Sequence, residues 1–182
     1  QVYQLNASNI SQKIANFSTG NLVLSSPAVA NGYVYVGSYD KQVYQLNASN
    51  ISQKIANFST GSGIVYSSPT VANGYVYIGS ADGNMYQLNA SNVSQLINAF
   101  AVDGIVTPVV GSPAYANGYI YFTSDSSNNK VYQLNATNIS VLNPDLIPAR
   151  AYLKSPLNYV NASNATQYFV ANFTDDVALL NA

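Results

Sequence analysis

The feature that most constrains this chain is that it repeats itself. Residues 1–20, QVYQLNASNISQKIANFSTG, recur without a change at 42–61. Looser copies follow as NMYQLNASNVSQLINAF at 84–100, KVYQLNATNIS at 130–140 and VALLNA at 177–182. A second block runs out of phase with these: SSPAVANGYVYVGS at 25–38, SSPTVANGYVYIGS at 67–80, GSPAYANGYIYFTS at 111–124 and a degenerate KSPLNYVNASNATQYFVA at 154–171. Pro27, Pro69, Pro113 and Pro156 mark the phase at intervals of 42, 44 and 43 residues. A period in this range is one supersecondary unit copied along the chain, each copy burying its apolar face only against its neighbours.

Within one repeat the pattern predicts four short strands, over residues 22–30, 33–38, 42–46 and 51–58. Asn31-Gly32, Asn73-Gly74 and Asn117-Gly118 separate strands as tight hairpins, because both residue types tolerate positive φ, and Asp82-Gly83 does the same at the next connection. In Tyr33-Val34-Tyr35-Val36 both alternating faces are apolar, which an antiparallel strand requires only when its sheet is covered on both sides. Blades packed radially in a propeller meet that demand. A β-solenoid has rungs about half this long, a β-sandwich leaves the period unexplained, and helical repeats are at odds with the density of Val, Tyr, Gly and Asn. The expected fold is therefore all-β: tandem four-stranded antiparallel blades of a β-propeller, about four of them, belonging to a larger propeller or an open array. The expected divisions are a partial blade at 1–20, blades at 21–61, 62–104 and 105–146, and a divergent partial blade at 147–182.

The pattern SSPAVANGYVYVGSYDKQVYQLNA resembles the repeats of quinoprotein-type (PQQ-like) propellers, whose blades read approximately SSPAV, a turn, VYVGS, DG, LYALDA, TG and a closing Trp. The resemblance covers residues 1–143 well and 154–182 faintly. It implies a propeller, and a function drawn from quinone-dependent dehydrogenases, outer-membrane assembly scaffolds or uncharacterised surface proteins. Where the family docks blades through Trp, this chain has Phe17, Phe58 and Phe100, and it contains no Trp. The family's quinone site stacks the cofactor on Trp, holds calcium through Glu or Asn and uses an Asp as base; that constellation cannot be assembled here, so no cofactor and no metal site are expected. Asp40, Asp82 and Asp125 occupy the family's turn position, where an Asp ordinarily bonds its own backbone. Asp175 and Asp176 form an adjacent acidic pair at the equivalent turn of the last repeat, capable at most of weak Ca²⁺ binding.

Copied blades place the same residue at every equivalent position, whereas catalysis needs different residue types converging in fixed roles. The expectation is a non-enzyme. Histidine, cysteine and glutamate are absent, and only 7% of residues are charged. Six scattered Lys and Arg offer no stripe for phosphates, which argues against nucleic acid as a partner. No apolar run approaches the length of a membrane span.

Solubility then falls to the asparagines. Thirteen stand in Asn-x-Ser/Thr acceptor sequences: Asn6, Asn9, Asn16, Asn47, Asn50, Asn57, Asn89, Asn92, Asn135, Asn138, Asn161, Asn164 and Asn172. Chance placement of the 30 Ser and Thr would give about four. Duplication inflates the excess, yet the degenerate final repeat carries three acceptors at new positions. Covalent N-glycans at these sites would hydrate a surface poor in charge and place the protein outside the cell or on its surface. The competing reading is structural: Asn9, Asn50, Asn92 and Asn138 replacing Gly at turns of left-handed geometry, Asn6 and its equivalents capping the turn.

The chain opens and closes at the same phase of the repeat, so it reads either as an excerpt of a longer propeller or as a unit whose terminal strands are completed by neighbouring copies. Residues 143–154, NPDLIPARAYLK, break the pattern as a longer connection or a docking loop. The leading expectation is a non-catalytic, N-glycosylated structural protein of a cell-surface layer or filament, self-associating through repeat edges. The alternatives are a propeller scaffold binding a protein or polysaccharide, and a remnant of a quinone-dependent dehydrogenase.

Overall fold

The structure, a computed structural model, describes residues 1–64, 66–102, 107–125 and 130–140. These lie in the first of two compact units, Gln1–Asn143; the second is Pro144–Ala182. Among the described residues thirteen strands form four sheets. β1 (Val2–Asn6) and β2 (Asn9–Phe17) pair as a hairpin. β3 (Ala28–Ala30), β4 (Tyr33–Gly37), β5 (Gln42–Asn47) and β6 (Asn50–Ser59) form a four-stranded antiparallel meander. β7 (Thr70–Ala72), β8 (Tyr75–Gly79), β9 (Asn84–Asn89) and β10 (Asn92–Ala101) repeat it. β11 (Ala114–Ala116), β12 (Tyr119–Thr123) and β13 (Val131–Asn135) give three strands of the next copy. The fold is all-β, built from four-stranded antiparallel blades of a β-propeller.

The Asn-Gly hairpins behave as their chemistry requires: φ is positive at both residues of Asn31-Gly32, Asn73-Gly74 and Asn117-Gly118, matching the strand twist. The double-faced apolar pattern of the second strand is also explained. Tyr35 and Val43 point into a cluster with Val76, Ile78, Tyr86 and Leu88 of the following sheet. Val34, Val36, Tyr44 and Leu46 pack the opposite way, against Val2 and Phe17 of the preceding hairpin. The same arrangement joins Tyr77 and Met85 to Ile120, Phe122, Tyr132 and Leu134. The core is thus a series of interfaces between sheets, each buried side chain contributing about 1.5–3 kcal/mol.

The first strand of each blade is shorter than residues 22–30. It starts at Ala28, because Pro27 lacks the N–H a ladder needs and the preceding residues bond elsewhere. Leu22 gives its carbonyl to the Tyr39 N–H at 2.8 Å, and Ser25 Oγ donates to the Gly37 carbonyl at 2.9 Å. These six residues cross from the outer edge of one sheet to the inner strand of the next.

Candidate glycan-acceptor face

Within each blade the third and fourth strands meet at a hairpin whose sequence is Asn-Ala-Ser/Thr-Asn, and the two asparagines lie opposite each other: Asn6↔Asn9, Asn47↔Asn50 and Asn89↔Asn92. The adjoining Asn-Gly hairpin sits at the same end of the sheet. Ala48 N–H donates to Gly32 O, Ala90 N–H to Gly74 O and Ala136 N–H to Gly118 O, at 2.8–2.9 Å. The structure thus brings eight of the thirteen acceptors, Asn6, Asn9, Asn47, Asn50, Asn89, Asn92, Asn135 and Asn138, to equivalent sheet ends. None of them is buried.

Each of these carboxamides is fixed by its own acceptor sequence. Asn47 Oδ1 accepts the Ser49 N–H at 2.9 Å, and Asn50 Oδ1 accepts both the Ser52 N–H at 3.2 Å and its hydroxyl at 2.7 Å. The capping expected of Asn6, Asn47 and Asn89 is present. The left-handed geometry expected at Asn9, Asn50, Asn92 and Asn138 is not: positive φ outside glycine occurs, among the described residues, at Asn31, Lys41, Asn73 and Asn117. Asn50 is instead the first residue of β6, in ladder pairing with Asn47, where no left-handed residue is needed.

Asn16 and Asn57 lie toward the far end of the outer strands, opposite Tyr3 and Tyr44. Their acceptor sequences contain Phe17 and Phe58, which pack edge-on against Tyr44 and Tyr86 with centroids 5.1 and 5.3 Å apart. Phe100 meets Tyr132 at 6.0 Å. These phenylalanines dock blades in the absent Trp's place. Asn161, Asn164 and Asn172 lie outside the described residues, as do Asp175, Asp176 and the whole 143–154 segment.

The turn aspartates are structural and reach further than their own backbone. Asp40 Oδ1 accepts the Gln42 N–H at 3.1 Å, while Oδ2 accepts the Gly20 N–H at 2.6 Å and the Tyr44 hydroxyl at 2.8 Å. Asp82 repeats this with Asn84, Gly61 at 2.7 Å and Tyr86 at 2.8 Å. Each carboxylate therefore clips the end of the preceding outer strand to the next blade. Burial, aided by the aspartate hydrogen bond, pushes Tyr44 and Tyr86 up to about 12. Among the described residues no group of three or more His, Cys, Asp or Glu could hold a metal ion.

A second clip lay hidden in the YQLN motif. Gln45 is fully buried; its Nε2 donates to Ala90 O at 3.1 Å and its Oε1 accepts the Val93 N–H at 3.1 Å. Gln4 grips Ala48 and Ile51 at 3.1 and 3.2 Å, and Gln87 grips Ala136 at 2.9 Å. Tyr35 and Tyr77 add hydroxyl bonds to the same Ala90 and Ala136 carbonyls, both at 2.5 Å. The acceptor hairpins at Asn47–Asn50, Asn89–Asn92 and Asn135–Asn138 are each held by the sheet before them. A Gln recurring between apolar residues in a doubly covered strand was the signal available in the sequence.

Residues 11–96 match the family described as outer membrane protein assembly factor BamB. No curated protein sequence matches the chain. Among solved structures the fold is similar to BamB from Moraxella catarrhalis, with TM-score 0.62 and 18% identity over 74% of this chain and 40% of that one. It is similar to a europium-containing methanol dehydrogenase, with TM-score 0.60 and 19% identity over 75% of this chain and 27% of that one. It is also similar to the quinohemoprotein alcohol dehydrogenase of Comamonas testosteroni, with TM-score 0.56 and 17% identity over 65% and 20%. The chain spans at most 40% of the length of these structures, and at such identities they speak for fold. The repeat pattern, the family match over residues 11–96 and the shared architecture agree on the fold: tandem PQQ-like repeats forming blades of a β-propeller.

Proposed function

We propose that the chain is a non-catalytic, N-glycosylated structural repeat protein of a cell surface, a scaffold whose blades present sugars from one end and associate through their outer edges. The observation that carries this reading is the placement of the paired acceptors: equivalent sheet ends, carboxamides unburied, and the hairpins at Asn47, Asn89 and Asn135 fixed by the preceding sheet. The aspartates Asp40 and Asp82 are spent on clipping blades together, which supports a role without chemistry. Outer strands β2, β6 and β10 expose Ile14, Ile55 and Ile97 at equivalent positions, an apolar row suited to lateral association of edges.

Intact mass spectrometry of the protein from its native source tests the reading against the sequence mass of 19.4 kDa. An excess of several sugars on the hairpin asparagines is the expected result; an unmodified mass overturns it.

A second reading, a propeller that binds a protein partner, is favoured by the match to an outer membrane assembly factor. Negative-stain microscopy separates the two, since a structural subunit polymerises and a binder stays as discrete particles.

A further inference from the structure

The acceptors of a hairpin come in pairs, and the two members of a pair are chemically different. In the first member the nitrogen that would take a sugar is already engaged. Asn6 Nδ2 donates to Gln12 Oε1 at 2.8 Å, Asn47 Nδ2 to Gln53 Oε1 at 2.9 Å, and Asn89 Nδ2 to Gln95 Oε1 at 2.9 Å. Irregular register in the outer strand puts the glutamine there: Leu46 pairs with Lys54 and Asn47 with Asn50, so residues 51–53 bulge out opposite no partner.

In the second member the oxygen is engaged instead. Asn9, Asn50 and Asn92 Oδ1 each accept the hydroxyl of their own Ser11, Ser52 and Ser94 at 2.7 Å, together with the N–H of the same serine at 3.1–3.2 Å. Their Nδ2 groups donate to no acceptor among the described residues.

We infer that the sugar is carried by the second acceptor of each guarded pair, Asn9, Asn50 and Asn92, with one glycan per hairpin. The inference rests on the N-glycosylated reading above and specifies its sites. In the transfer, Nδ2 forms a bond to the anomeric carbon of a glycosyl phosphate donor. The anomeric carbon–oxygen bond breaks, phosphate leaves with its electron pair, and one Nδ2 proton passes to a base of the transferase. Negative charge develops on Oδ1 as that proton leaves, and a hydroxyl already donating to Oδ1 stabilises it. The first acceptor lacks this hydroxyl bond and must also break its bond to Gln12, Gln53 or Gln95. Opposed residues of an antiparallel pair have Cα atoms about 4.5–5.5 Å apart, which leaves no room for two branched sugars side by side.

The selecting bonds lie inside the hairpin itself, and that matters. Ala90, Val93, Ala136 and Ile139, the middle residues of their acceptor sequences, are buried by the neighbouring sheet, so transfer precedes docking. The fourth hairpin is an internal control: Val141 stands where the guarding glutamine would be. There Asn135 and Asn138 both accept their own hydroxyl, from Thr137 at 2.7 Å and Ser140 at 2.5 Å, and no preference is expected.

Glycopeptide mapping of the native protein, with fragmentation that retains the sugar, reads the choice directly. Occupancy of Asn50 should exceed that of Asn47 by at least about fivefold, the ratio to which one net hydrogen bond of about 1 kcal/mol corresponds. Gln53→Ala, at an exposed position, should raise Asn47 toward parity while the unchanged Asn6/Asn9 pair keeps its bias. Sugar mainly on Asn47, or on both members of a pair, overturns the inference and leaves the glycoprotein standing; so does a Gln53→Ala variant with unaltered site choice. No sugar at any acceptor overturns both.

Discussion

Gln45 and Ala90 belong to different sheets, 45 residues apart in sequence, and are joined by a buried hydrogen bond of 3.1 Å from Gln45 Nε2 to the Ala90 carbonyl. Oε1 of the same side chain takes the Val93 N–H at 3.1 Å. A single carboxamide thus satisfies both polarities of the next blade's hairpin. This is a demanding arrangement, because a partner lost inside the sheet interface cannot be replaced by water.

Gln45→Leu should therefore cost about 2 kcal/mol, within the about 1–3 kcal/mol of a buried group left unsatisfied. Gln4→Leu should cost less, since Gln4 is only partly buried and solvent can reach what it leaves behind. Urea unfolding of the two variants checks the order. Equal losses would show that the glutamine contributes by packing alone.

Lys41 holds φ of +71°, where the equivalent position of the next blade is Gly83 at +87°. A side chain in left-handed geometry costs about 1–2 kcal/mol, partly offset by glycine's greater entropy in the unfolded chain. Lys41→Gly should stabilise the protein by about 0.5–1 kcal/mol, seen as a higher urea midpoint at unchanged slope. A neutral or destabilising result would mean that the lysine stem contributes packing of that size.

Gly37 and Gly79 end the second strands of consecutive blades where the next linker passes over them. A Cβ at Gly79 would lie 2.5 Å from both the Val109 carbonyl oxygen and Val109 Cγ1; at Gly37 it would meet the side chains of Ile64 and Ile78. Backbone yields less readily than side chain, so Gly79→Ala should cost more than Gly37→Ala, each within about 1–3 kcal/mol. Adding Ile64→Ala should recover part of the loss in Gly37→Ala, whereas Val109→Ala should recover little in Gly79→Ala. Thermal unfolding of the single and double variants tests this pattern.

These sites show what could be read from the residues and what could not. The Asn-Gly hairpins and the doubly apolar Tyr33–Val36 strand are local patterns with one physical solution, and both appear as expected. Phe17 and Phe58 fill the docking position of the missing Trp because the repeat phase fixes where that position lies. The recurring Gln between apolar residues hints at the Gln45 clamp, but its partner is not legible in the sequence, because that is set by how blades dock. The same holds for Asp40, whose link to Gly20 spans 20 residues. The competing reading of Asn50 as a left-handed turn residue fails because its short side chain bonds locally to Ser52 while the backbone stays in the ladder.

The buried tyrosines set the protein's alkaline limit. Tyr35 and Tyr77 are pushed up to about 12 chiefly by burial, as are Tyr44 and Tyr86, whose hydroxyls also donate to Asp40 and Asp82. In the unfolded chain each would ionise near its ordinary 10.0. A raised folded value means the neutral form is favoured in the native state, so the contribution to stability is complete below about pH 10 and is lost as pH climbs from 10 toward 12. The urea midpoint should hold steady up to about pH 9 and fall steeply above 10. Tyrosinate absorbance should show a late second step, in which Tyr35, Tyr44, Tyr77 and Tyr86 ionise only with loss of the β-sheet circular dichroism. Tyr44→Phe should shrink the second step. If these four ionise while the sheet signal persists, the buried hydroxyls are reaching solvent and the inter-blade clips at Asp40 and Asp82 do not hold.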